Sequence, residues 1–157
     1  MKVQNLGLRL IPECVTDPLI FQETNRLTFC FLAMVRNPKT GLFEDGGLAV
    51  WRTTTLVQMK SGHPNDEALS AHPLFKEGFD GTFIAEIDGS PWIDDVVALN
   101  QVNFPHFDFG RGLRHLVFSF KETTLELLLR DFTWHLSEEP YEQVRRAMLD
   151  WLEGSLS

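Results

Sequence analysis

The chain has 157 residues, a length that closes one hydrophobic core without disulfides or bound metal, and 43% apolar with 23% charged residues is the balance of a folded domain. With 14 Lys and Arg against 22 Asp and Glu, the net charge of −8 has the wrong sign for holding a phosphate backbone, so the composition speaks against nucleic-acid binding. No stretch approaches the ~18 apolar residues of a membrane span, and Met1 to Arg9 carries no apolar run of the signal-peptide kind.

The expectation is therefore one globular domain over residues 1–157, in a reduced, cytoplasmic setting and without a membrane partner. Cys14 and Cys30 are the only cysteines. Cys30 lies inside Leu27-Thr28-Phe29-Cys30-Phe31-Leu32, where a free thiol behaves as a small buried hydrophobe. No disulfide is expected between them, and neither has a basic neighbour that would activate its thiolate.

Leu27 to Val35 is apolar at nearly every position and too short for an isolated helix, which predicts a central strand covered on both faces. Asn37 to Gly41 supplies turn chemistry, and Asp45-Gly46-Gly47 reads as a second break before a partner strand over Leu48 to Met59. Thr82 to Ile87 reads as a short strand closed by Asp88-Gly89. Ser90 and Pro91 then form an N-cap and first-turn pair for a helix carrying Trp92, Val96 and Leu99 and ending near Asn100. Leu113 to Phe120 and Leu125 to Phe132 flank Lys121 to Thr124 as a hairpin. Ser137 starts a final helix with Tyr141, Val144, Met148, Trp151 and Leu152 on one stripe and Gly154 at its end. Strands in adjacent pairs predict an α+β domain with a mainly antiparallel sheet, open or curved towards a half-barrel, one or two short helices, and the C-terminal helix laid across it.

Two stretches could carry chemistry. In Gly62-His63-Pro64-Asn65-Asp66-Glu67-Ala68-Leu69-Ser70-Ala71-His72-Pro73, each proline pushes the histidine before it out of helical geometry. Asn65 can cap a turn there, and Asp66 and Glu67 sit where carboxylates favour the positive end of a helix. That accounts for both acids without a ligand. The functional reading gathers His63, His72 and His106 with Asp66 or Glu67 around a divalent metal. Their spacing exceeds the about three to five residues of the common zinc pairs, so no metal or other cofactor is expected.

The second stretch is Asn103 to His115. Asp108-Phe109-Gly110 spells the magnesium-binding tripeptide of protein kinases, but no glycine-rich loop, strand lysine or catalytic loop accompanies it. His115 alternates in phase with Leu113 and Val117, while Arg114 points the other way, with Glu126 across the hairpin as its expected partner. The candidate cluster is thus His63, Asp66, Glu67, His72, His106, Asp108, Arg114 and His115.

The run His63-Pro64-Asn65-Asp66-Glu67-Ala68-Leu69 with His72-Pro73-Leu74, Trp92-Ile93, and Leu113-Arg114-His115 leading into Phe118-Ser119-Phe120 resembles a family of small bacterial proteins of unknown function. The resemblance spans about residues 62–130 and implies that these segments belong to one unit. That family has a cysteine shortly after a Phe-Glu pair in the second hairpin strand. This chain has Leu125-Glu126-Leu127, so the resemblance implies no functional cysteine.

Between Lys76 and Arg111 there is no basic residue, while Glu77, Asp80, Glu86, Asp88, Asp94, Asp95 and Asp108 supply carboxylates. The expected function is a non-catalytic protein- or ligand-binding module whose acidic face, with Asp94 and Asp95 as contact residues, meets a basic protein or a small ligand. The alternative is a metal-assisted, hydrolase-like enzyme built on the histidines and carboxylates. Nothing in the pattern specifies an oligomeric state.

Overall fold

The computed structural model describes residues 1–13 and 15–154; Cys14, and with it the expectation that it stays unpaired with Cys30, lies outside them. The strands are β1 (Lys2–Asn5), β2 (Leu10–Pro12), β3 (Leu19–Glu23), β4 (Arg26–Arg36), β5 (Phe43–Thr53), β6 (Leu56–Gly62), β7 (Ala85–Asp88), β8 (Arg114–Ser119), β9 (Thr124–Leu129) and β10 (Thr133–Ser137). Helix α1 (Pro91–Asn103) follows β7 and α2 (Tyr141–Glu153) follows β10, with 3-10 turns at Leu69–Ala71 and Pro73–Glu77.

The strands form two sheets, one ordered β1-β7-β8-β9-β6 and the other β10-β5-β4-β2, with β3 also on β4, and the pairings are antiparallel. The α+β class is as the strand pattern predicts, and Leu27 to Val35 is indeed central, flanked by β5 on one side and by β2 and β3 on the other. Alternation along β4, β5, β8 and β9 sends Phe29, Phe31, Trp51, Leu116, Phe118, Leu125, Leu127 and Leu129 into one core between the sheets. Phe118 meets Phe29 and Trp51 edge-on, at centroid distances of 5.2 and 5.1 Å.

The expected strand over Leu48 to Met59 is corrected at its start and in its middle. Asp45-Gly46-Gly47 does not break the chain: β5 runs through it, because Gly46 lets the backbone press against Val35 where any Cβ would collide. Beyond Thr53 the chain leaves the second sheet and resumes as β6 in the first. Thr53 Oγ1 donates to the carbonyl of Asp131 at 2.6 Å, and Thr55 Oγ1 accepts from the Asp131 amide at 2.8 Å. Asp131 itself lies where the chain crosses back from β9 to β10, so the two crossings are stapled to each other.

Each sheet has a second covered face. On the second sheet Val144 and Met148 of α2 pack on Cys30, Leu48 and Val50. Burial pushes the Cys30 thiol up to about 11, so it stays protonated and inert. The expected stripe of α2 is narrower than its sequence implies. Tyr141 is 46% exposed, and Trp151 is half-buried beneath the Arg26 guanidinium, 4.4 Å from its ring. Helix α2 starts at Tyr141 after Pro140, because Ser137 is the last residue of β10. On the first sheet Leu69 and Leu74 from the 3-10 turns, with Phe79 just after the second, cover Ala85, Ile87 and Val117.

Candidate functional site

The two His-Pro pairs behave differently. Asn65 Oδ1 accepts from the Ala68 amide at 3.1 Å, which caps the turn, and Lys121 Nζ bridges Asp66 and Glu67 at 3.5 and 2.9 Å. Both acids therefore tie the turn to the tip of the β8–β9 hairpin. His63 is exposed, and no hydrogen bond or ion pair joins it to another described residue. His72 is buried, and its Nδ1 accepts from the Leu74 amide at 3.2 Å as the N-cap of the second 3-10 turn, with Pro73 behind it.

The buried convergence lies on the outer face of the first sheet. In the β8–β9 register Val117 opposes Glu126 and His115 opposes Leu128, so His115 and Glu126 are diagonal neighbours on one face. His115 Nε2 lies 2.8 Å from Glu126 Oε2, and His72 Nε2 lies 3.6 Å from Oε1. On the other side of the ring, His115 Nδ1 is 2.8 Å from Ser90 Oγ. Ser90 also accepts from the Ile93 amide at 3.4 Å, as the N-cap expected of Ser90-Pro91. The Trp92 ring stands edge-on to His115 at 5.1 Å, its Nε1 donates to Gln58 Oε1 at 2.7 Å, and Lys60 Nζ lies 3.7 Å from its centroid.

The hydrogen bonds fix the tautomers. His72 accepts at Nδ1, so its proton sits on Nε2 and faces Glu126. His115 gives its Nε2 proton to the same carboxylate and accepts the Ser90 hydroxyl at Nδ1. Burial pushes the Glu126 carboxyl up, but the N–H groups that His115 and His72 present to its two oxygens outweigh it and bring it down to about 2. The result is a carboxylate held ionised by two imidazoles.

Serine, imidazole and carboxylate in a row are the components of a nucleophilic relay. Here Ser90 is 2% exposed, its oxygen is committed to the helix cap, and cavities of about 720 and 600 Å³ open elsewhere. The network reads as an anchor: two N-caps, His72 and Ser90, are tied to one carboxylate on the sheet. With its Nε2 proton in place, His72 offers no lone pair to a metal there. Among the described residues no group of three or more His, Cys, Asp or Glu is arranged to hold a metal ion.

Arg114 does not form the pair with Glu126 that the sequence suggests. It forms a bidentate pair with Glu86 on β7, at 2.7 and 2.8 Å, because Glu126 lies on the opposite face with His115. Glu86 in turn raises the Arg114 guanidinium pKa above its ordinary value. His106 and Asp108 are exposed in the loop after α1, and nothing joins either to His72 or His115. Sequence reasoning missed Glu126 and Ser90 as members of the cluster. The available signal was register: once Val117 faces Glu126, period-two alternation places His115 beside it.

Asp94 and Asp95 are exposed near the start of α1, with Asp94 in the first turn, where the helix dipole favours a carboxylate. Further along, α1 buries Val96 but leaves Leu99 67% and Val102 79% exposed. Phe104 and Phe107 in the following loop are 62% and 60% exposed. Asp95, Leu99 and Val102 share one side of the helix by their spacing. No helix of the described residues is long and apolar enough to cross a membrane. No family model, curated protein or solved structure matches the chain.

Proposed function

We propose that this chain is a non-catalytic protein-binding module whose contact surface is the outer side of α1 and the loop after it. The observation that supports the reading is the run of exposed apolar side chains Leu99, Val102, Phe104 and Phe107, beside the carboxylates of Asp94, Asp95 and Asp108. Large apolar groups clustered in water without cover are characteristic of interaction surfaces. The absence of Lys and Arg from residues 77–110 favours a basic partner, with an apolar anchor that seats against Leu99 and Val102. The partner's charge speeds encounter, and the apolar contact holds the complex.

The supporting test is affinity capture from the source cell with wild type and a Leu99→Ser, Val102→Ser, Phe104→Ser variant. A basic protein held by wild type and released by the variant, at unchanged melting temperature, supports the reading; equal retention removes it. The alternative of a metal-assisted hydrolase at His63, His72 and His106 requires all three within reach of one ion, and no contact of the described residues gathers them.

A further inference from the structure

A second surface, on the opposite sheet, carries its own ligand chemistry. Where β10 turns into α2, a cleft of about 600 Å³ opens over the outer face of the second sheet. Its floor is apolar, built from Leu19, Leu32 and Leu48 with the protonated Cys30. Its rim carries Asp17, Asp45, Glu138 and Glu139, and no Lys, Arg or His lines it. Among the described residues none of these four carboxylates has an ion-pair partner. We propose that this cleft binds a small organic monocation: a protonated amine attached to an apolar, ring-sized body.

The acids are not all explained by the helix behind them. Glu138 and Glu139 precede α2 and gain from its positive end. Asp17 and Asp45 come from two other parts of the chain, and their carboxylates are aimed by backbone bonds. Asp17 Oδ1 accepts from the Glu122 amide at 3.0 Å, and Asp45 Oδ1 accepts from the Gly47 amide at 2.9 Å. Uncompensated carboxylates above a low-dielectric floor concentrate the field at the mouth of the cleft, which favours a cation there.

The floor then sets the rest of the ligand. A metal ion finds no oxygen ligands on leucine side chains, and a slender polyamine leaves them uncovered, whereas an aryl or branched alkyl group buries them. The volume lies within the range of small-molecule sites, about 300–1,000 Å³. Tyr141, 46% exposed, lines the cleft as well and supplies an aromatic ring, a group that attracts an ammonium. This site is independent of the α1 surface, which lies over the other sheet.

The experiment compares tryptamine with indole-3-propionate, which places a carboxylate where tryptamine has its ammonium, and with propylammonium, which lacks the ring. Titration calorimetry and methyl NMR follow each at millimolar concentration on the full chain. Tryptamine is expected to bind saturably and to shift Tyr141 and the methyls of Leu32 and Leu48, while the other two bind at least about tenfold more weakly. Glu138→Gln with Glu139→Gln, and separately Asp17→Asn, should weaken tryptamine by a similar factor; these exposed positions leave the fold intact, which a melting curve checks. Equal binding of indole-3-propionate, shifts confined to other residues, or no saturable tryptamine binding would overturn the proposal. None of these outcomes bears on Leu99 or Val102.

Discussion

Nε2 of His115 lies 2.8 Å from Oε2 of Glu126, and both residues sit on the outer face of the first sheet, away from the core between the sheets. Through this pair α1, capped by Ser90, and the second 3-10 turn, capped by His72, are fastened to β8 and β9. Removing the carboxylate leaves two buried imidazole N–H groups without an acceptor. Glu126→Ala should therefore cost about 2–4 kcal/mol in urea unfolding, and His115→Ala a comparable amount. A loss below about 0.5 kcal/mol for either would show that the cluster does not anchor these elements.

The same carboxylate makes stability depend on acid. The folded pKa of Glu126, about 2, lies below its ordinary value of 4.5, so on acidification the unfolded chain takes up this proton first. The stabilisation is complete above the unfolded value and is lost as pH falls from there towards the folded one. For this mostly buried carboxylate, 18% exposed, a shift of this size corresponds to roughly 3 kcal/mol at neutral pH. Unfolding free energies measured through this range should fall steeply for wild type and less steeply for Glu126→Gln. Identical acid limbs in the two proteins would mean that Glu126 titrates normally in the fold.

Much of the frame was legible in the sequence because it depends on local rules. Leu27 to Val35 announces a central strand by unbroken apolarity, Ser90-Pro91 announces a helix start, and Lys121 to Thr124 announces a hairpin. The illegible parts are decided at a distance. Thr53 and Thr55 look like the middle of a long β-branched strand, and only their bonds to Asp131 and Arg130 mark a crossing between sheets there. Short β1 and β2 carry no pattern of their own and exist because β7 and β4 present free edges. Glu126 was visible as a hairpin residue, but its partner depends on which face it takes, a choice that one step of register reverses.

Helix α2 separates packed from unpacked members of one sequence stripe. Met148 is fully buried on Cys30 and Val50, whereas Tyr141 stands at the rim of the cleft. Met148→Ala should cost about 2–5 kcal/mol and Tyr141→Ala no more than about 0.5 kcal/mol, measured by thermal and urea unfolding. Equal losses at both positions would place Tyr141 in the core and close the cleft.

The α1 surface should divide its work between charge and apolar contact. Asp94 and Asp95 are exposed, and long-range attraction from them acts on encounter, screened over about 8 Å at physiological ionic strength. Leu99 and Val102 act only after contact, so their loss should appear in dissociation. With a captured basic partner, Asp94→Lys with Asp95→Lys should slow stopped-flow association and flatten its salt dependence while leaving dissociation nearly unchanged. Leu99→Ser should do the reverse, raising the dissociation rate by about tenfold or more at an unaltered association rate. Both variants alter exposed positions, so melting temperatures should stay close to wild type. A partner that associates equally fast with wild type and the lysine variant, and leaves Leu99→Ser no sooner, would return the acids to the helix dipole and the apolar run to ordinary exposed surface.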